Sequence, residues 1–205
     1  MEQVTKQSKI KEVSFSKIAL DDNESHVIEL FDPNTVVSCL VLNWRCVTGF
    51  SNLITLTTGF SRIDNEKNEK LVLYLSDTTN LSKLKSLKLS GHINDVLGHQ
   101  LNNLLKIRGS IIRTIYNFFI ECNHSVFVNT LIDNCQNLSK VEVDFSNKMG
   151  SHLEREDLIK IMNMDVKKYA YFSFEDKSYL EQAKLVHEEV FPNGNEKIEF
   201  GLTYW

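Results

Sequence analysis

Apolar and polar positions alternate along several short runs of the chain, the pattern of half-buried strands. These runs are Val36–Trp44 (VVSCLVLNW), Leu71–Ser76 (LVLYLS), Leu84–Ser90 (LKSLKLS), Ile111–Ile120, Leu138–Phe145, Lys168–Phe174 (KYAYFSF) and Lys197–Tyr204 (KIEFGLTY). Between the later runs the period becomes helical. Leu97, Leu101, Leu104 and Leu105 share one face, and Val128, Leu131, Ile132 and Cys135 form an i, i+3, i+4, i+7 set. Leu158, Ile161 and Met162 make a shorter stripe, and Tyr179, Ala183, Val186 and Val190 another. Ser151-His-Leu-Glu154 and Ser178-Tyr-Leu-Glu181 fit the capping box, in which a hydroxyl and a carboxylate each satisfy an otherwise unpaired backbone N–H. Asn193-Gly194, after Phe191-Pro192, ends the last helix and turns the chain.

Spacing adds more than the elements do singly. Aligned on the first inward strand residue, the runs give Leu40, Leu87, Ile115, Val141, Tyr169 and Ile198. The steps from Leu87 onward are 28, 26, 28 and 29 residues, and the 47 residues from Leu40 to Leu87 would hold two shorter units. A near-constant period with one strand and one helix predicts stacked units, none able to bury its own apolar face alone.

The stretch Leu131–Phe145, LIDNCQNLSKVEVDF, runs a helical face into Cys135 and then into strict alternation. It resembles the leucine-rich repeat, in the cysteine-containing form found in F-box/leucine-rich-repeat proteins. Leu138, Val141 and Val143 hold the three apolar strand positions, and Cys135 sits at the helix end. Leu84-x-x-Leu87-x-Leu89-Ser-Gly and Val37-x-x-Leu40-x-Leu42-Asn43 are similar. The resemblance spans residues 36–205 and is closest over 81–146. It departs from the pattern at Tyr116-Asn117 and at Tyr169 and Tyr171, where aromatics replace leucines.

The resemblance implies an α/β fold, a solenoid of strand–helix units with a parallel sheet over residues 36–205. Residues 1–35 would be a polar N-terminal segment and candidate cap. It also implies a non-enzymatic protein–protein interaction module, the substrate-recognition part of an SCF-type ubiquitin ligase. Its partners would then be Skp1 and a cullin where an F-box lies upstream. The parallel strands would line a binding face, whose outward residues are Lys88, Ser90, Tyr116, Phe118, Glu142, Asp144, Phe172 and Glu199. The burial habits of Phe favour the core for Phe118 and Phe172 by about two to one.

Composition narrows the classes further. The chain has 205 residues, 42% of them hydrophobic and 24% charged, as in an ordinary globular domain. A net charge of −4 and no basic stripe argue against nucleic acid as a partner. No apolar run is long enough to cross a bilayer, so a cytoplasmic or nuclear protein is expected. Cys39, Cys46, Cys122 and Cys135 then read as buried small hydrophobes.

Catalytic motifs are missing from the sequence, and no cofactor or metal is expected. Cys122 and His124 are two apart, which invites a nucleophile or metal pair, but a strand end and a polar turn into the next helix explain them better. His92 and His99, seven apart, could share a solvated helix face with no third ligand. Glu154, Glu156 and Asp157 sit where carboxylates complement a helix dipole. The rival reading is a small α/β enzyme or ligand-binding domain with no recognisable motif. Such a doubly wound sheet would show continuous apolar runs rather than alternation.

Overall fold

A computed structural model describes residues 12–15, 36–41, 55–146, 153–194 and 197–203, the first two segments as backbone only. Eight strands form one parallel sheet in strict chain order. They are β1 (Glu12–Phe15), β2 (Val36–Val41), β3 (Thr55–Phe60), β4 (Ser86–Ile93), β5 (Ile112–Ile120), β6 (Lys140–Phe145), β7 (Tyr169–Phe174) and β8 (Ile198–Leu202). From β3 to β7 each strand is followed by a helix: α1 (Asn65–Ser76), α2 (Asp95–Arg108), α3 (His124–Asn134), α4 (Arg155–Met162) and α5 (Lys177–Val190). Consecutive helices touch one another, so they form one layer on one face of the sheet.

Burial follows the alternation. Leu87, Leu89 and Ile93 of β4, Val141, Val143 and Phe145 of β6, and Ala170, Phe172 and Phe174 of β7 are buried. They meet the helix stripes read from the sequence: Leu97, Leu101, Leu104 and Leu105, then Val128 and Leu131, then Leu158, Ile161 and Met162, then Ala183 and Val186. Ile132, Tyr179 and Val190 pack at the edges of this core.

Two elements differ from the expected ones. Leu71–Ser76 belongs to α1 and is no strand. The Asp64 carboxylate caps that helix by accepting from the Lys67 N–H at 3.1 Å, and the buried set is Asn68, Leu71, Val72 and Leu75, a helical stripe. Asn68 hides the stripe because it is polar. It is buried because its amide closes the turn, accepting from the Ser61 N–H at 2.9 Å and donating to the Ser61 carbonyl at 2.6 Å. The missing strand of the long Leu40–Leu87 interval is β3, TLTTGF, whose inward residues are Leu56, Thr58 and Phe60, with threonine at the middle position.

Register also corrects the alignment. Leu89, Ile115, Val141, Ala170 and Ile198 stand side by side, at steps of 26, 26, 29 and 28 residues. Leu87 pairs with Ile112, and Leu40 lies beside Thr57, which pairs with Lys88. In β7 the inward residue is Ala170, so Tyr169 and Tyr171 point to the other side, since a one-residue offset reverses every side chain.

The helix starts differ from the proposed capping boxes as well. The box before α4 joins Glu154 and Asp157, whose side chain accepts from the Glu154 N–H at 3.2 Å, and Ser151 lies outside the described residues. Ser178 is inside α5, where its N–H and hydroxyl both donate to the N-cap Asp176 at 2.7 Å. Asp64, Asn94, Asn123 and Asp176 each cap the helix that follows a strand. At the other end, Asn193-Gly194 turns the chain as expected, with Gly194 at φ +80°.

Polar groups tie neighbouring units together. The buried Arg108 guanidinium donates to the carbonyls of Leu75 at 3.0 Å, Asp77 at 2.9 Å and Asn80 at 2.7 Å. Asn94 accepts from the Leu97 N–H at 3.0 Å and donates to Asn65 Oδ1 at 2.8 Å in the preceding unit. Asn94→Ala removes both bonds and is expected to cost about 1–2 kcal/mol, read from urea unfolding.

Candidate functional site

The sheet face opposite the helices carries the outward strand residues. One row crosses it from Thr57 through Lys88, Thr114 and Lys140 to Tyr169, all in register. A second joins Glu142, Tyr171 and Glu199, and a third Asp144, Ser173 and Gly201. Of the residues expected to line a binding surface, Lys88 and Glu199 are exposed, and Ser90, Tyr116, Glu142 and Asp144 are partly exposed on this face.

Phe118 and Phe172 are not on it. Both are fully buried in the core. For Phe172 the cause is the β7 register already described. In β5 the pairing with β6 jumps from Ile115 directly to Phe118, and Asn117 takes a left-handed φ of +49°. That irregularity uses one extra residue, which returns Phe118 to the helix side.

Toward β8 the open face is polar and aromatic. The Tyr169 and Tyr171 rings stack at 6.4 Å, and the Tyr169 hydroxyl lies 3.5 Å from Glu199 Oε2. Partial burial, followed by the Glu199 and Glu142 carboxylates, raises the Tyr169 phenol above its ordinary value. Lys140 pairs with Glu142 at 2.7 Å. At the C-terminal ends of the strands, the Ser173 hydroxyl donates to Asp144, and Thr203 Oγ1 lies 2.9 Å from Ser173 Oγ. These contacts hold three strands together and leave mixed charges facing outward.

Toward β3 the same face holds a groove of about 390 Å³. Its floor is the His92 ring on the Phe119 ring, stacked with centroids 5.1 Å apart and planes 16° apart. Arg62, Gly91, Asn117 and Glu175 stand around it. The Nε2 of His92 lies 3.0 Å from Glu121 Oε1, without hydrogen-bond alignment, and its Nδ1 is buried with no hydrogen-bond partner among the described residues. The sequence showed none of this as a site. The one visible sign was Tyr116-Asn117, where the repeat pattern breaks.

The suspected thiol and imidazole chemistry falls elsewhere. His124 is buried at the start of α3, its Nε2 3.2 Å from the Ile120 carbonyl and its ring against Phe145 at 4.9 Å. Cys122 is buried beside Gly98 of α2, where an added Cβ would come 2.6 Å from the Cys122 Cβ. His92 lies in β4 and His99 in α2, exposed, so the two do not share a helix face. Among the described residues, no group of three His, Cys, Asp or Glu is placed to hold a metal ion. No helix among them is long and apolar enough to cross a membrane.

Cys135 caps the C-terminus of α3, its N–H donating to the Leu131 carbonyl at 2.9 Å. Burial pushes its thiol up to about 12. At neutral pH almost no thiolate forms there, so a maleimide or disulfide reagent is expected to leave Cys135 unmodified in the native chain and to modify it after unfolding. Peptide mass spectrometry reads the difference. Cys39 and Cys46 lie in or beside segments whose side chains fall outside the described residues.

No family model, no curated protein and no solved structure matches the chain.

Proposed function

We propose that this chain is a leucine-rich-repeat-like solenoid that binds a protein partner on the open face of its sheet. One observation carries the reading: the strands keep chain order while every described helix lies on one face, which leaves the other face to side chains alone. Those side chains mix tyrosines with both signs of charge, the composition of contact surfaces rather than of a second core. The position of Cys135, buried where α3 ends and the chain turns toward β6, supports the resemblance of Leu131–Phe145 to the cysteine-containing repeat. On that resemblance the partner is a substrate of an SCF-type ubiquitin ligase, with Skp1 and a cullin recruited through an F-box.

Affinity capture from the native cells tests the reading, with tagged wild-type chain beside the double variant Lys88→Glu/Glu142→Lys. Both residues project from the open face, so circular dichroism is expected to be unchanged. The expected result is a set of partners held by the wild type and lost by the variant, with Skp1 and a cullin among the proteins held if the ligase part is correct. Identical partners for both proteins would remove the open face from binding.

A further inference from the structure

We propose that the part of the open face formed by β3, β4 and β5 takes an acidic segment of the protein partner, whose carboxylates meet Lys88 and Arg113. This rests on the open-face reading above and adds the chemistry of one contact. The strands divide the face by charge. β3, β4 and β5 contain no Asp or Glu, whereas β6 and β8 carry Glu142, Asp144 and Glu199. Lys140 of β6 is already paired with Glu142 at 2.7 Å. Lys88 and Arg113 form no ion pair and no side-chain hydrogen bond with any described residue.

A backbone irregularity supplies the second of these cations. Between Leu87 and Lys88 the pairing of β4 jumps from Ile112 to Thr114, so Arg113 is one residue more than the register needs. Arg113 and Thr114 stand between the buried Ile112 and Ile115, which adds the guanidinium to the open face beside Lys88. Like charges set side by side across a sheet cost stability, and no carboxylate on these strands offsets the two. Thr57 and Thr114 flank Lys88 in register, and Ser86 lies two residues before it, all partly exposed. Their hydroxyls can donate to an anion without neutralising either cation.

Charge selects the occupant. A basic segment is repelled here, and an apolar one would strip water from two unpaired cations. A nucleic acid is the other polyanion, but its phosphates would run on past β5 to Glu142, Asp144 and Glu199, on a chain of net charge −4. A peptide can carry a short acidic run and change composition beyond it. Neighbouring strands are about 4.8 Å apart and alternate residues of an extended peptide about 6.8 Å, so the long side chains of Lys88 and Arg113 reach two carboxylates of one segment.

The test is a titration of the full 15N-labelled chain with the end-blocked tetrapeptide of glutamate, followed through the amide signals of Lys88, Arg113 and Thr114. The glutamine and lysine tetrapeptides and a short oligouridylate are titrated in parallel. The expected result is saturable movement with the glutamate peptide, weaker at higher ionic strength, and none with the glutamine or lysine peptide. Lys88→Gln and Arg113→Gln are each expected to weaken the glutamate peptide about threefold and together about tenfold. Arg113→Lys, which keeps the charge, is expected to retain most of the binding. Lys88 is exposed, so Lys88→Gln serves alone if Arg113→Gln disturbs β5. No saturable movement, a glutamine peptide that binds as tightly, an oligouridylate that binds more tightly, or unchanged affinity in the folded variants would overturn the proposal. Partner capture separates the two claims. Capture lost in Lys88→Glu/Glu142→Lys but intact in Lys88→Gln/Arg113→Gln sinks the acidic segment and leaves the open-face reading standing.

Discussion

Phe118→Ala is expected to destabilise the protein by about 3–5 kcal/mol, measured by urea unfolding. Tyr116→Ala, two residues away, is expected to cost less than about 1 kcal/mol. The difference comes from one irregularity. Phe118 is fully buried, 6.1 Å from the Phe60 ring and 6.3 Å from the Phe127 ring, and its removal leaves a cavity between strand and helix layers. Tyr116 is paired with Ser90 on the open face and is only partly buried. Had β5 kept simple alternation from Ile112, residues 116 and 118 would lie on the same face and respond alike. Similar losses at both positions would mean that β5 runs without the extra residue at Asn117.

Gly91→Ala is expected to cost about 3 kcal/mol or more in the same assay. The position has φ +110°, where an L side chain is strained whatever the surroundings. A Cβ would also fall on the backbone of Phe60, its neighbour in register on β3. Backbone cannot swing aside as a side chain can, so the ends of β3 and β4 would have to separate. That separation would also disrupt the groove, and the Gly91→Ala protein is expected to show altered His92 and Phe119 signals even where it remains folded. A loss below about 1 kcal/mol would show that the strand ends are looser than described.

Much of this arrangement is legible in the sequence because one sheet face is buried and the other is not. Strict alternation in VEVDF places Val141, Val143 and Phe145 inward without ambiguity, and the Val128–Cys135 stripe does the same for α3. The failures have equally local causes. In KYAYFSF both alternating sets carry aromatics, Tyr169 and Tyr171 in one and Phe172 and Phe174 in the other, so the pattern does not choose sharply between Tyr169 and Ala170, and the small residue is the buried one. LVLYLS alternates well enough for a strand, and only the buried Asn68 three residues before it, with the cap at Asp64, marks it as the end of a helix. TLTTGF offers only two apolar residues in six, too few to stand out as a strand. The capping side chains Asp64, Asn94, Asn123 and Asp176 recur after strands, and this polar signal would have placed four of the five helix starts.

The candidate site was legible in part for the same reason. Lys88, Ser90, Tyr116, Glu142, Asp144 and Glu199 follow from alternation, whereas Phe118 and Phe172 were misplaced by register. The groove depends on a bulge, a positive φ and a ring stack between adjacent strands. Each joins residues about 27 positions apart or a backbone angle to its neighbours, and neither is written in a local pattern.

Hydroxyl-radical footprinting, read by mass spectrometry on the free chain and on its captured complex, tests the central claim most directly. In the free chain, Tyr116, Tyr169 and Tyr171 are expected to be labelled and Phe118 and Phe172 to be spared. In the complex, labelling of the three tyrosines is expected to fall, while Leu73 and Leu185, exposed on the helix layer, stay labelled. Protection of Leu73 and Leu185 with the tyrosines unchanged would contradict the account and move binding to the helices.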